Sequence, residues 1–572
     1  MSKLIVHKYG SSVLFDESQL ESAVDSIYAS VRDGYRVIAV VSAMGETTDG
    51  LLEEAKSFGE GLDDGALAML LSTGELRSAS LLTFALGRAG VSAQVMDAGA
   101  MALRTAGSSL DAEPVSVGGE LIRDRLERAS VLVVPGFLGR GREGETTLLG
   151  RGGSDLTALF LAAELAADCV LFKDVDGIYE SDPNASSGPV RRYQSMTWEV
   201  AEKVGGRVLQ PKAIAFAREK GLDFSVKALG ADVGTDIGRH PVVLTSAPTP
   251  RRPLRVALLG LGTVGLGVYR RLSEQPELFE VVAVAVRDGT KVRPADVDPV
   301  LLTTDIDQAL AVDHEITVEV MGGLWPARRG IEASLGLGRL VVTANKDLVA
   351  EFGQQLEALA ARSGGKLAYG AAVGGAVPCV EAVERLADTH RVTGICGVLN
   401  GTTNYVLDAM GRGDDFESAL QQAQAAGFAE ADPSADIEGL DAARKLVILM
   451  RRAFGSSSRV EDIACEGIVG VTPEAIGEAK RKGGVIRLVA RCKRGPNGLE
   501  GKVGPEFLPL EHPLAQVGAE GNAIELCTDA GLVELWSGAG AGRWPTTQAV
   551  VGDILHETVR GGWAPLPRAR VA

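Results

Sequence analysis

The sequence predicts an α/β protein built as two successive wound sheets, the second followed by an α+β region. Three observations carry this. Residues 3 to 244 alternate short apolar strands with Ala/Leu/Glu-rich stretches of helical period, which is the pattern of βαβ winding. The segment Thr245-Ser-Ala-Pro-Thr-Pro-Arg-Arg-Pro253 then interrupts it, because three prolines among small polar residues continue neither a helix nor a central strand. At Leu254 a fresh apolar strand begins, followed by a glycine turn and a helix.

Taken in order, the first region places strands at Leu4 to Val6, Val37 to Val41, Val131 to Val134 and Val170 to Phe172. The second places them at Leu254 to Leu259 and Val281 to Val286, with a helix from Val268 to Leu272. At 572 residues the chain is too long for one core. The expected division is a domain over 1–244, a linker over 245–253, a dinucleotide-binding domain over 254–378, a second catalytic or dimerisation domain over 379–553 and a tail over 554–572. A hydrophobic fraction of 45% with 71 glycines suits buried strands joined by tight turns.

The formal charge of −17 excludes a nucleic-acid partner, since that affinity rests on Lys and Arg neutralising phosphates. The most apolar stretch, Thr157 to Phe172, is broken by Glu164 and Asp168 and falls short of the ~20 residues that span a bilayer. No membrane association is expected. The N-terminus enters a strand pattern at once and lacks the sections of a signal peptide, so a cytoplasmic protein is expected. Six cysteines are scattered without a CxxC pair, the usage of reduced core thiols rather than of a zinc site or disulfide framework.

Strand, Gly260-Leu-Gly262-Thr-Val-Gly265 and helix follow one another in the order a dinucleotide site requires. Gly260 makes the turn, Gly262 admits the pyrophosphate and Gly265 packs the helix, while the helix start around Thr263 and Val264 offers free N–H groups to phosphate. The second strand ends at Arg287, where an NAD site places an acid for the ribose hydroxyls. An arginine there suits a 2′-phosphate, hence NADP(H). Asp288 beside it leaves NAD open.

Over residues 254 to 553 the sequence resembles homoserine dehydrogenase. The resemblance is carried by Glu319-Val-Met-Gly-Gly323, Val342-Thr-Ala-Asn-Lys346, Asn400-Gly-Thr-Thr-Asn-Tyr405, Gly427-Phe-Ala-Glu-Ala-Asp-Pro433, Asp436-Ile-Glu-Gly-Leu-Asp441 and Lys445. Lys445 lies four residues after Asp441, so on a helix the carboxylate orients the ammonium, and Lys445 is assigned as proton donor. The resemblance implies Lys346 near the reacting carbonyl and nicotinamide, Glu430 on the substrate amino group, and Asp436 with Asp441 in the substrate pocket. Asn400 and Thr402 are suited to the substrate carboxylate. Thr343, and Gly542 in the late Gly540–Thr546 segment, are expected at the cofactor. A monovalent cation, Na⁺ or K⁺, is implied at backbone carbonyls corresponding to Val373, Gly375 and Val377, although Gly370 stands where many relatives carry Glu.

Residues 3 to about 240 resemble aspartate kinase, of the amino-acid kinase fold, most strongly at Thr146-Thr-Leu-Leu-Gly-Arg-Gly-Gly-Ser-Asp-Leu-Thr157 and Leu71-Ser-Thr-Gly-Glu75. Phosphoryl transfer asks for glycine N–H groups, a lysine and an organising acid. The resemblance implies Lys8 on the transferring phosphate and Asp155 organising Lys8 and the substrate amino group. It also implies Arg151 clamping the aspartate carboxylate, with Thr48, Glu75 and Ser154 completing the pocket. ATP with Mg²⁺ is expected at Lys8, Gly10, Ser11, Ser42, Lys173, Asp174, Tyr179, Asp182 and Arg207. Ser11 replaces a usual glycine and Gln210 a frequent histidine, so the alternative is an active dehydrogenase with a non-catalytic kinase-like interaction module. The implied assembly is a homodimer or homotetramer. The join between the halves leaves no room for the ACT pair usual in bifunctional relatives, and the chain ends soon after the dehydrogenase resemblance, so threonine or lysine inhibition through such domains is not expected.

Overall fold

Runs of Val, Ile, Leu and Ala set the strands, and the structure, a computed structural model, describes residues 3–182, 190–206, 208–231, 233–246, 252–495, 498–518, 521–560 and 563. Two compact units divide in sequence near residue 250. In the first, β1 (Lys3–Tyr9), α1 (Leu20–Arg32), β2 (Tyr35–Val41), α2 (Thr47–Lys56), α3 (Asp64–Arg88), β3 (Ala93–Val95) and β4 (Val131–Pro135) come in order. They are followed by α4 (Gly153–Leu165), β5 (Asp168–Lys173), β6 (Arg191–Met196), β7 (Phe224–Ala228), β8 (Gly234–Ile237) and β9 (Val243–Ser246). The nine strands form one sheet in the order β9-β6-β8-β7-β5-β1-β2-β4-β3. Helix α1 buries Leu20, Ala23, Val24, Ile27, Tyr28 and Val31, a one-sided stripe at helical spacing. Helix α4 buries nearly every residue from Gly153 to Ala162 and lies in the core with Val6, Val40 and Leu171.

Register sets up the first site. Lys8 lies beside Val40 on one side and Leu171 on the other, and Ser42 N–H donates to the Tyr9 carbonyl at 3.0 Å. The carboxyl ends of β1, β2 and β5 therefore emerge together, the end of an open α/β sheet where ligands bind.

In the second unit, β10 (Leu254–Leu259), α5 (Thr263–Ser273), β11 (Phe279–Ala285), β12 (Leu302–Thr303), β13 (Ile316–Glu319), β14 (Leu340–Thr343), α6 (Lys346–Ser363) and β15 (Lys366–Ala368) come first. Their parallel sheet has the order β12-β11-β10-β13-β14-β15, the doubly wound arrangement that reverses direction at β10. Then come α7 (Cys379–Thr389), β16 (Val392–Val398), α8 (Gly401–Arg412), α9 (Leu440–Phe454), β17 (Ala464–Cys465), β18 (Gly484–Gly495), β19 (Gly498–Pro509), β20 (Gly521–Thr528), β21 (Val533–Ala539) and α10 (Arg543–Leu555). The third sheet, β17-β19-β18-β16-β20-β21, is antiparallel except where β17 joins β19.

Three expectations change. Thr245 and Ser246 pair with Arg192 and Arg191 as part of β9, so the first domain runs past 244 and the linker is shorter. Helix α10 places Ala549, Val550 and Ile554 in the core of the dinucleotide domain with Val256, Leu258 and Val268, so that domain is not continuous in sequence. Cys465 is exposed and Cys527 half-buried, since both lie toward strand ends rather than in a core. Among the described residues no helix is long and apolar enough to cross a membrane.

Candidate active sites

In the first unit the site is built on one buried carboxylate. Asp155, in the first turn of α4, is 3% exposed, and α4 opens after Gly150 and Gly152, both at positive φ (69° and 80°). Those left-handed turns, costly for other residues, bring the helix start up to the end of β1. Lys8 Nζ lies 2.7 Å from Asp155 Oδ1 and Lys173 Nζ 2.8 Å from Oδ2. Burial works against the charge on Asp155, but Lys8 and Lys173 outweigh it and lower the carboxyl to about 2. A Cβ on Gly10 would lie 2.8 Å from Lys8 Nζ, so a side chain there would crowd the ammonium. Ser11, the substituted position, is exposed instead.

Glu75, on α3, accepts from Ala43 N–H at 3.2 Å, and its second oxygen has no partner among the described residues. Burial raises its carboxyl from 4.5 to about 7. Ser154 is buried against Gly136. Thr48 and Ser42 are half-buried, while Arg151, Asp174 and Asp182 are exposed. Tyr179 donates to Asp176 at 2.8 Å. Arg207 lies outside the described residues. A cavity of about 530 Å³, lined by Phe15, Asp16, Met44, Thr47 and Arg77, was not legible in sequence because its walls come from segments sixty residues apart.

In the second unit the glycine turn has the expected parts. Gly260 has φ 107°, a Cβ on Gly262 meets nothing within 4 Å, and a Cβ on Gly265 would fall on the Gly260 carbonyl oxygen. Gly262 is the residue immediately before α5, so the free N–H groups of α5 face the open side. Arg287 is exposed just beyond β11. Asp288 spends its carboxylate on its own turn, accepting from Thr290 N–H at 2.8 Å and its hydroxyl at 2.6 Å. Sequence reading missed Arg293, whose guanidinium donates to Leu261 O at 3.1 Å and Asp288 O at 3.0 Å, tying the glycine turn to the segment after β11. Its only signal was a second arginine six residues after Arg287. Thr343 is fully buried and its hydroxyl donates to Glu319 at 2.6 Å, so that side chain supports the site from behind.

Asp441 organises the substrate side. It is 4% exposed, with Lys445 Nζ 2.8 Å from Oδ2 and Lys346 Nζ 3.0 Å from Oδ1. Lys445 also donates to Leu399 O at 2.6 Å. Burial disfavours the Asp441 charge, yet the two lysines hold its carboxyl well below the usual range, and Asp441 in turn raises Lys346. Asn400, the N-cap of α8, donates to Asp436 at 2.7 Å and Asp441 at 2.8 Å. Thr402 donates to Asp436 at 3.1 Å and to Phe428 O at 2.6 Å. Glu430 is exposed, and its backbone carbonyl accepts from Gln424 Nε2 at 3.1 Å.

Val373, Gly375 and Val377 lie in a buried loop. Beside it, a Cβ on Gly370 would collide with Glu381 Oε1 and sit 2.8 Å from Asp553 Oδ1. Carboxylates from α7 and α10 thus fill the place where the resemblance expects a glutamate. Gly542 has φ 114° immediately before α10, and the first turns of α10 reach α5, with a Thr547 hydroxyl 3.5 Å from Val264 O.

Three sequence-family profiles match this chain: amino acid kinase family over 3–227, homoserine dehydrogenase NAD binding domain over 260–370 and homoserine dehydrogenase over 378–555. The chain is 39% identical over 316 residues to a homoserine dehydrogenase of Synechocystis sp., covering 53% of this chain and 73% of that one. It is 39% identical over 334 residues to one of Corynebacterium glutamicum, covering 55% and 75%. Among solved structures it is similar to a homoserine dehydrogenase from Thiobacillus denitrificans at 37% identity and a TM-score of 0.51, covering 56% of this chain and 76% of that one.

Proposed function

The chain belongs to the homoserine dehydrogenase family, and from that premise we propose a bifunctional enzyme that phosphorylates L-aspartate with ATP and reduces L-aspartate 4-semialdehyde to L-homoserine with NADPH. The observation that carries the dehydrogenase reading is Asp441 bridging Lys346 and Lys445 in a buried position. A bound reduced nicotinamide supplies the hydride to the aldehyde carbon. Lys445 then gives its proton to the developing alkoxide oxygen, while Asp441 and Leu399 O fix the ammonium in place and Lys346 stabilises the negative charge. Proton plus hydride completes the alcohol. Asn400 and Thr402 hold Asp436 in the substrate pocket.

Arg287, exposed just beyond β11 where a dinucleotide site usually meets the ribose, favours NADPH over NADH, and Arg293 braces the glycine turn beside it. Glu381 and Asp553 place negative charge at Gly370, at the start of the loop that carries Val373, Gly375 and Val377, and a Na⁺ or K⁺ ion is assigned to that loop's backbone carbonyls. In the kinase half, Lys8 and Lys173 face the phosphates of ATP with Mg²⁺, and Asp155 fixes both ammonium groups. That intact buried triad favours a working kinase over a purely interacting module. Purified full-length chain tests both halves. Aspartate-dependent ADP release supports the first activity and its absence removes it; semialdehyde-dependent NADPH oxidation decides the second in the same way.

A further inference from the structure

Glu319 is the last residue of β13 and is fully buried. Strands buried on both faces are normally apolar throughout, and a carboxylate there is unfavourable unless every oxygen is engaged. Here the oxygens are engaged by chain segments that matter. Oε1 accepts from Met321 N–H at 2.8 Å and Gly322 N–H at 3.3 Å, and Oε2 accepts from the Thr343 hydroxyl at 2.6 Å. The Thr343 hydroxyl accepts from Asn345 N–H at 3.1 Å. Asn345 Nδ2 donates to Gly323 O at 2.6 Å, and its Oδ1 caps α6 at Leu348 N–H, 3.2 Å. The bonds close a ring that joins residues 321–323 to the start of α6, whose first residue is Lys346. Gly322 and Gly323 have φ 74° and 73°, and a Cβ on either meets nothing within 4 Å. A flat, open backbone edge is therefore held at one side of the ring and the Lys346 ammonium at the other.

We propose that Glu319 is a positioning residue for hydride transfer, setting the spacing between the open glycine edge at 321–323, against which the nicotinamide end of the cofactor rests, and Lys346 beside the reacting carbonyl. Burial raises the Glu319 carboxyl while its hydrogen-bond donors oppose that shift, and a carboxylate with two accepting oxygens can take all three donors at once, which a neutral amide with one cannot. The inference rests on the dehydrogenase reading above. A displacement of the order of an ångström at such a spacing costs rate rather than cofactor affinity.

The test uses the full chain with aspartate semialdehyde and NADPH. If wild type shows no turnover, the dehydrogenase reading itself fails, whatever Glu319 does. With wild type active, Glu319→Gln and Thr343→Val disrupt the Glu319–Thr343 bond from its two ends, the second also removing the acceptor of Asn345 N–H. Each is expected to lower kcat by about 10-fold to 100-fold and to raise the deuterium isotope effect with 4-deuterated NADPH, with the NADPH dissociation constant by fluorescence unchanged. The double variant should be no slower than the slower single one, because one linkage is being broken twice. Thr343→Ser, which keeps the hydroxyl, should recover most of the loss. Should Glu319→Gln fail to fold, the Thr343 pair still decides the matter. A lowered melting temperature with wild-type kcat and isotope effect, losses that multiply in the double variant, or no recovery with serine would each overturn the proposal.

Discussion

Lys445 and Asp441 stand one helical turn apart with side chains only 9% and 5% exposed, which separates them from the surface pairs that the same spacing usually produces. Replacing Lys445 with Ala is expected to lower dehydrogenase kcat on the order of 10²-fold or more, while NADPH binding by fluorescence survives; near-normal turnover would remove it as proton donor. Arg287→Ala should weaken NADPH far more than NADH, and equal weakening would show that the arginine does not meet the 2′-phosphate. Glu75 gives a pH prediction. Burial raises its carboxyl from 4.5 to about 7, so between those values the folded chain holds a proton the unfolded chain has released. The associated stability is complete below about 4.5 and is lost as pH rises through 7. Glu75→Gln carries no such proton. Relative to wild type, the unfolding free energy of the unit that carries Glu75 should therefore gain in the variant with rising pH, by on the order of 1–3 kcal/mol at pH 8, and a pH-independent difference would contradict the assignment. The spacing of Asp441 and Lys445 was visible in the sequence. That Lys346, ninety-nine residues before Lys445, closes on the same carboxylate was visible only through resemblance, because periodicity carries no information across separate helices.

At the scale of elements, the strand, glycine turn and helix from Leu254 to Ser273 were readable, because each glycine answers a local steric demand. Gly265→Ala tests this. Its methyl would strike the Gly260 carbonyl, so the turn must open, and the variant should lose about 1–3 kcal/mol of stability together with NADPH affinity. Binding unchanged from wild type in calorimetry would show that the turn tolerates the shift. Two boundaries escaped the sequence for one reason. Thr245 and Ser246 read as linker because prolines follow them, yet hydrogen bonding to Arg192 and Arg191 keeps them in the sheet. Helix α10 follows a catalytic-domain strand in sequence and still packs with Val256 and Leu258.

At the scale of the molecule, each unit contains its own charged cluster: Lys8, Asp155 and Lys173 in the first, Lys346, Asp441 and Lys445 in the second. Lys8→Ala is expected to abolish aspartate-dependent ADP release and leave semialdehyde reduction at the wild-type rate, with Lys445→Ala giving the converse; loss of both activities in either variant would show that the halves are not chemically independent. Only residues 247–253 separate β9 from β10, too few for an intervening regulatory domain. The sequence by itself determined the α/β class, the two halves, the dinucleotide turn and the residue types available for each reaction, since these rest on periodicity, turn sterics and motif order along the chain. Tertiary structure alone decided which carboxylate each lysine meets, that Thr343 turns inward to Glu319, that Arg293 reaches back to the glycine turn, and that Glu381 and Asp553 occupy the space left at Gly370. Those outcomes depend on distances between segments far apart in sequence, which only the packed core fixes.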